Sequence, residues 1–404
     1  MLAVNTLGFE RREPVELPAG VAGGQSLPGG RALGVVTVPP VGLAVMAPEP
    51  VDDAVTAAET ADGFVLENAH LRATFGRDGR LHSLWDRAAQ REAVAPGERA
   101  NELVLFDDHP NRWDAWDVDV FHLEKRAPLG EPVVMRLVER GPLRACIEAE
   151  YEVGRASRLV QRIVLTATGR YVAFECRADW REAEQFLKVE FPCHVHAPSA
   201  TYEIQFGHLQ RPTHFNTSWD VARFEVCGHR WADLSEADYG VAVLNDCKYG
   251  YGAQGHVLRL SLLRAPKAPD PQADMGEHAF TYAVMPHAGS LQQAGVIEAA
   301  YALNVPLLTA ATDREPVRES WLRVDRPGVV IDTVKRSEDG ESVIVRLYEA
   351  HGTRGTVRLE SALPVRGAAR CNLLERADEP LEWADGGVSF EVTPFRLETI
   401  KLTV

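Results

Sequence analysis

Trp113, Asp114, Trp116 and Asp117 crowd the short segment WDAWD, in a loop that also holds His109, Pro110 and Asn111. Indole faces stack on the apolar faces of pyranose rings, and carboxylates accept hydrogen bonds from sugar hydroxyls. The segment therefore suits carbohydrate. It equally suits a loop pinned by two buried tryptophans, with the aspartates as turn formers. A second candidate is Arg264, at the end of the run HVLRLSLLR. A period of two places His256, Leu258, Leu260, Leu262 and Arg264 on one face of a strand. Arg264 then closes an apolar row just before a loop stiffened by Pro266, Pro269 and Pro271. A guanidinium held there suits a ligand rim. Taken alone, it reads more readily as an arginine reaching past a sheet edge into water.

His194 and His196 are the one metal-type signal. Residues i and i+2 of a strand share a face, so two imidazoles could share an ion. No HxD partner or nearby cysteine cluster accompanies them, and FPCHVHAP runs straight into strand-like TYEIQF. They read as sheet histidines, and no metal site is assigned. Trp219, Asp220, Arg223 and Arg230 read as loop braces.

The elements that must position these residues are strands. Tyr239–Leu244, His256–Leu263 and His278–Met285 are β-type runs, with Gly250, Gly252 and Gly255 marking turns between the first two. Residues 1–57 alternate β-type runs with Pro and Gly and predict a small β-sandwich, followed by a linker in DDAVTAAETADG. Residues 63–306 predict a large antiparallel β-sandwich, beginning with a hairpin that bends at Asp78-Gly79. The one good helical pattern is Ser290–Leu303, with Ser290 as N-cap. After the polar join TDREPVRES, residues 316–404 predict a C-terminal β domain. The expected fold class is all-β.

The totals narrow the function. At 404 residues the chain is long enough for two to four domains. A net charge of −15 argues against nucleic acid, whose phosphates need clustered Lys and Arg. No apolar run reaches membrane length, and MLAVNTLGFERREPVELP is not a signal peptide. The six cysteines lack CxxC spacing and read as reduced thiols of a cytoplasmic protein.

Several long stretches resemble one family. NTSWDVARFEVCGHRWADLSE, VAVLNDCKYGY, LSLLRAPKAPDPQADMGEH, FTYAVMPH, FDDHPNRWDAWDVD and LYEAHG are similar, in order, to the C-terminal half of glycoside hydrolase family 38, the α-mannosidases. The cytosolic and bacterial branch fits best. The resemblance implies that residues 63–306 form a galactose-mutarotase-like mannosidase C-terminal domain. It also implies that Trp113, Asp114, Trp116, Asp117 and Arg264 face the mouth of a sugar pocket. The expected partners are mannosides or oligosaccharides, the N-terminal catalytic half of the same enzyme, and a possible second copy of the chain. Family members use two carboxylates for retaining hydrolysis and a zinc ion held by His and Asp. Those motifs belong to the N-terminal α/β domain, upstream of this sequence. No catalytic residue or cofactor is therefore assigned to this chain, and zinc is expected in the catalytic domain. A stand-alone carbohydrate-binding or interaction module is the competing reading. A third is an independent hydrolase centred on His194 and His196.

Overall fold

The computed structural model describes residues 1–404, apart from the side chains of Ala377 and Asp378. The fold is all-β. Among the described residues every strand pairing is antiparallel, from Leu2–Asn5 near the start to Leu397–Thr403 at the end. Two compact units result, one of residues 51–203 and 209–296, the other of residues 1–50, 204–208 and 297–404.

The first unit holds five-, six- and nine-stranded sheets. Alternation decides which side of each strand is buried. In Arg144–Val153 the core receives Ala145, Ile147, Ala149, Tyr151 and Val153, while Glu148, Glu150 and Glu152 face outward. The core is rich in large rings, among them Phe64, Phe75, Phe174, Trp180, Tyr202 and Tyr251. Three of its polar side chains are paired with one another. Asn101 Nδ2 donates to Gln161 at 2.9 Å, Gln161 Nε2 donates to the Tyr282 hydroxyl at 2.7 Å, and that hydroxyl donates back to Asn101 at 2.7 Å. A closed ring of this kind avoids the cost of unmet buried donors.

The hairpin at Asp78-Gly79 forms as expected, joining Leu71–Gly76 to Leu81–Asp86 with Gly79 at φ +76°. The expected linker at 53–62 contributes structure instead. Thr56–Glu59 pairs with Gly63–Glu67 at the edge of the five-stranded sheet. The helical pattern starting at Ser290 is real but broken. Ser290 and Gln293 form a capping box, Gly295 turns left-handed at φ +74°, and a second helix spans Val296–Asn304.

In the second unit, Leu2–Asn5 and Gly42–Val45 share a four-stranded sheet with Leu308–Ala310 and Val317–Ser320. Residues beyond 321 form a sandwich of four- and five-stranded sheets around Ile331, Val345, Leu347, Phe390 and Ile400. All six cysteines are free. Among the described residues, no helix is long and apolar enough to cross a membrane.

Candidate carbohydrate-facing rim

The six-stranded sheet carries the site, and one irregularity in it sets the geometry. Gln185–Pro192 pairs with Val257–Arg264 in the register Lys188↔Ser261, then Leu187↔Leu263 and Phe186↔Arg264. Leu262 is skipped. One extra residue in a ladder turns everything beyond it to the opposite face. Leu262 and Leu263 consequently both enter the core with Leu258 and Leu260. Arg264 emerges on the other face, beside Phe186. This corrects the sequence expectation that Arg264 shares a face with Leu258, Leu260 and Leu262. The bulge gives the arginine a polar setting that strict alternation would deny it.

On that face Arg264 is tightly held. Its Nε donates to Asp108 Oδ2, and Nη2 donates to Asp108 Oδ1 at 3.3 Å and to the carbonyl of Asp117. The guanidinium carbon lies 5.9 Å from the Phe186 ring centroid. Only Nη1 has no partner among the described residues. The side chain of Asp108 is 1% exposed and that of Arg264 14%, so the pair is nearly dry. Burial pushes the Asp108 carboxyl above its ordinary value, and the hydrogen bonds from Arg264 pull it back.

The WDAWD loop closes over this pair. Trp113 adopts φ +59°, and its carbonyl accepts from the N–H groups of Trp116 and Asp117 at 2.7 and 2.8 Å. The two indoles meet edge to face, with centroids 6.5 Å apart. They are 66% and 69% exposed, so the reading of two buried tryptophans pinning the loop does not hold. Asp114 Oδ2 accepts from the backbone N–H groups of Lys267 and Ala268, the latter at 3.0 Å. Asp114 thus ties the aromatic loop to the Pro-rich loop that follows Arg264. Asp117 holds Arg264 through its carbonyl and keeps an exposed carboxylate. The five sequence candidates therefore lie in one contiguous set of contacts.

Sequence reasoning missed what lies beneath them. Lys188 is 1% exposed; its Nζ lies 2.5 Å from Glu225 and 4.2 Å from the Phe186 centroid. Ser261 donates to the same glutamate. Burial drives the Lys188 pKa down, with Glu225 opposing it. Farther along the sheet, burial raises the Glu190 carboxyl, but the hydrogen bonds from Arg126 and Arg259, at 2.7 and 2.6 Å, outweigh it and hold the group below its usual range. His122 roofs this layer among Phe106, Phe186 and Phe224, its Nδ1 2.8 Å from the Asp119 carbonyl. Burial, then the charge of Lys188, lowers its pKa to about 4.

The remaining candidates behave differently. His194 and His196 lie beyond the end of Gln185–Pro192 and are exposed, so they are loop histidines and not sheet histidines. With Arg91, Glu98, Glu236 and His256 they line a cleft of about 430 Å³. Among the described residues, no group of three or more His, Cys, Asp or Glu is placed to hold a metal ion. Thr217 caps a short helix in a capping box with Asp220, Arg223 contacts Asp220, and Arg230 clamps Glu203 at 2.7 Å.

Comparison with known proteins places this architecture. Residues 66–272 match the model of the glycosyl hydrolases family 38 C-terminal domain, and residues 328–400 match that of the family 38 C-terminal beta sandwich domain. Alpha-mannosidase 2C1 of Homo sapiens is 46% identical over all of this chain, and Alpha-mannosidase G of Dictyostelium discoideum is 36% identical over 99% of it. The chain spans about 40% of the length of each. The crystal structure of an alpha-mannosidase from Enterococcus faecalis V583 superposes with a TM-score of 0.76. The superposition covers 99% of this chain and 55% of that one, at 14% identity, and so speaks to the fold alone. The chain belongs to glycosyl hydrolase family 38, and the portion it represents is the C-terminal, all-β one.

Proposed function

We propose that this chain is the C-terminal part of a retaining, cytoplasmic α-mannosidase that removes terminal α-linked mannose. In this reading the chemistry belongs to an N-terminal domain with a carboxylate pair and a zinc ion, and this chain braces that domain. It also supplies one wall of the sugar pocket, and alone it is inactive. The relatives are named alpha-mannosidases, and they are more than twice as long as this chain. The six free cysteines suit a reducing compartment.

The observation that carries the reading is the anchoring of Arg264. Asp108 and Asp117 occupy Nε and Nη2 and leave Nη1 as a fixed donor on a guanidinium tied to the loop that carries two exposed indoles. A preoriented donor next to aromatic faces binds a pyranose hydroxyl with little further ordering. The carboxylates of Asp108, Asp114 and Glu190 are already engaged by Arg or backbone N–H groups, which suits positioning rather than proton transfer. The test is to assay an aryl α-mannoside with this chain alone and with its N-terminal counterpart supplied. Turnover only in the assembly is expected. Turnover by the chain alone would overturn the assignment.

A further inference from the structure

The unit of residues 1–50, 204–208 and 297–404 contains a cleft that shares no residue with the Arg264 rim. Trp321 forms its wall. It lies where the chain leaves Val317–Ser320, a strand of one sheet, for Leu322–Val324, a strand of another. Its N–H donates to the Val41 carbonyl at 2.9 Å, and its own carbonyl accepts from Ala362 at 3.0 Å. The backbone is pinned on both sides, yet the residue remains 36% exposed. The cleft beside it measures about 320 Å³, near the lower end of the roughly 300–1,000 Å³ usual for small-ligand sites.

The polar lining has bonding capacity to spare. Ser361 Oγ accepts from the Leu363 N–H at 3.1 Å, which leaves its hydroxyl proton free to donate. Asp385 stands at φ +49°, its carbonyl held by Arg358 at 2.9 Å, and its carboxylate has no partner among the described residues. Glu360 is shared between Arg323 and Arg358. Arg323 uses Nε for that contact, and its Nη groups have no partner among the described residues. Arg323 lines the cleft, and Arg358 outside it also pairs with Glu360, so the charge of Glu360 is met and only Asp385 is left to accept from a ligand. A neutral ligand that stacks on an indole and both donates and accepts hydrogen bonds fits this set.

We propose that the Trp321 cleft is a second carbohydrate-binding site, taking one neutral hexopyranose unit. The C–H face of the ring lies on Trp321, with hydroxyls bonded to Asp385, Ser361 and Arg323. Packing at a sheet junction would account for the tryptophan, but not for a carboxylate without a protein partner and a hydroxyl with a proton to donate lining the same cleft. The site stands independently of the rim reading.

The test uses the chain as it is, with methyl α-D-mannopyranoside as the probe at millimolar concentration. Binding is followed by saturation-transfer NMR and calorimetric titration for the wild type, Trp321→Ala and Asp385→Asn. Both variants should weaken binding by roughly tenfold or more, the loss expected for one aromatic or charged hydrogen-bonding contact. Asp385 is exposed and its backbone contacts survive substitution, so Asp385→Asn decides the matter if Trp321→Ala fails to fold. Absence of binding to the wild type would overturn the proposal. So would binding that persists unchanged in Asp385→Asn with Trp321→Ala folded and equally unaffected, which would place the sugar elsewhere.

Discussion

Asp108 and Arg264 are distant in sequence yet form a nearly dry carboxylate–guanidinium pair, bonded through Nε and Nη2. The pair exists because Leu262 is unpaired in the ladder, which brings Arg264 out on the side of Asp108. Asp108→Ala removes the anchor and leaves the guanidinium largely buried without its counter-charge. Charged hydrogen bonds of this kind contribute about 1.5–3 kcal/mol. Denaturant unfolding of Asp108→Ala should show a loss of that order, with the m value unchanged.

Lys188 and Glu225 form the second buried pair of the same face, with side chains 1% and 13% exposed. Breaking such a pair from one side strands a charge and costs about 3–5 kcal/mol, whereas replacing both partners by apolar groups is often neutral. Glu225→Leu should therefore be strongly destabilising, and Lys188→Met with Glu225→Leu should recover most of the loss. A double-mutant cycle in urea gives the coupling directly.

His122 should make the first unit acid-sensitive. Its folded pKa is depressed from 6.5 to about 4, so it stays neutral when folded while the unfolded chain takes up a proton. The stability it contributes is present above pH 6.5 and is lost as pH falls towards about 4. At about 1.4 kcal/mol per pH unit, the full window amounts to about 3 kcal/mol. Unfolding titrations across that window should show this slope, and His122→Phe should flatten it.

On its own, the chain should self-associate. Trp113, Trp116 and Trp219 are 66%, 69% and 77% exposed, which is unusual for tryptophan unless another surface covers it. Sedimentation should show concentration-dependent association that Trp113→Ser with Trp116→Ser reduces.

Much of this was legible in the sequence. Strand alternation and Gly-marked turns gave the all-β class and the hairpin at Gly79, and Ser290 marked its helix correctly. What was not legible was anything that depends on one residue of register or on which face is covered. Strict alternation put Arg264 with the leucines, because a bulge at Leu262 leaves no trace in an apolar run. Lys188 and Glu190 alternate with Leu187 and Val189 as outward residues should. Only the loop carrying His122 and the segment carrying Glu225, both distant in sequence, turn that outward face into a buried layer. Asp108 stood in plain view in FDDHP, but its partner became evident only when the two strands were paired.

The most direct test of the account is the rate of an assembly of this chain with its N-terminal counterpart, comparing wild type with Arg264→Ala. Loss of one charge-assisted hydrogen bond to a substrate hydroxyl, about 1.5–3 kcal/mol, should lower kcat/KM by roughly 10- to 100-fold in an intact complex. Arg264→Lys should recover little, because an ammonium cannot hold Asp108 and Asp117 while still reaching the sugar. Wild-type kcat/KM in a fully assembled Arg264→Ala enzyme would contradict the account and reduce Arg264 to a loop anchor.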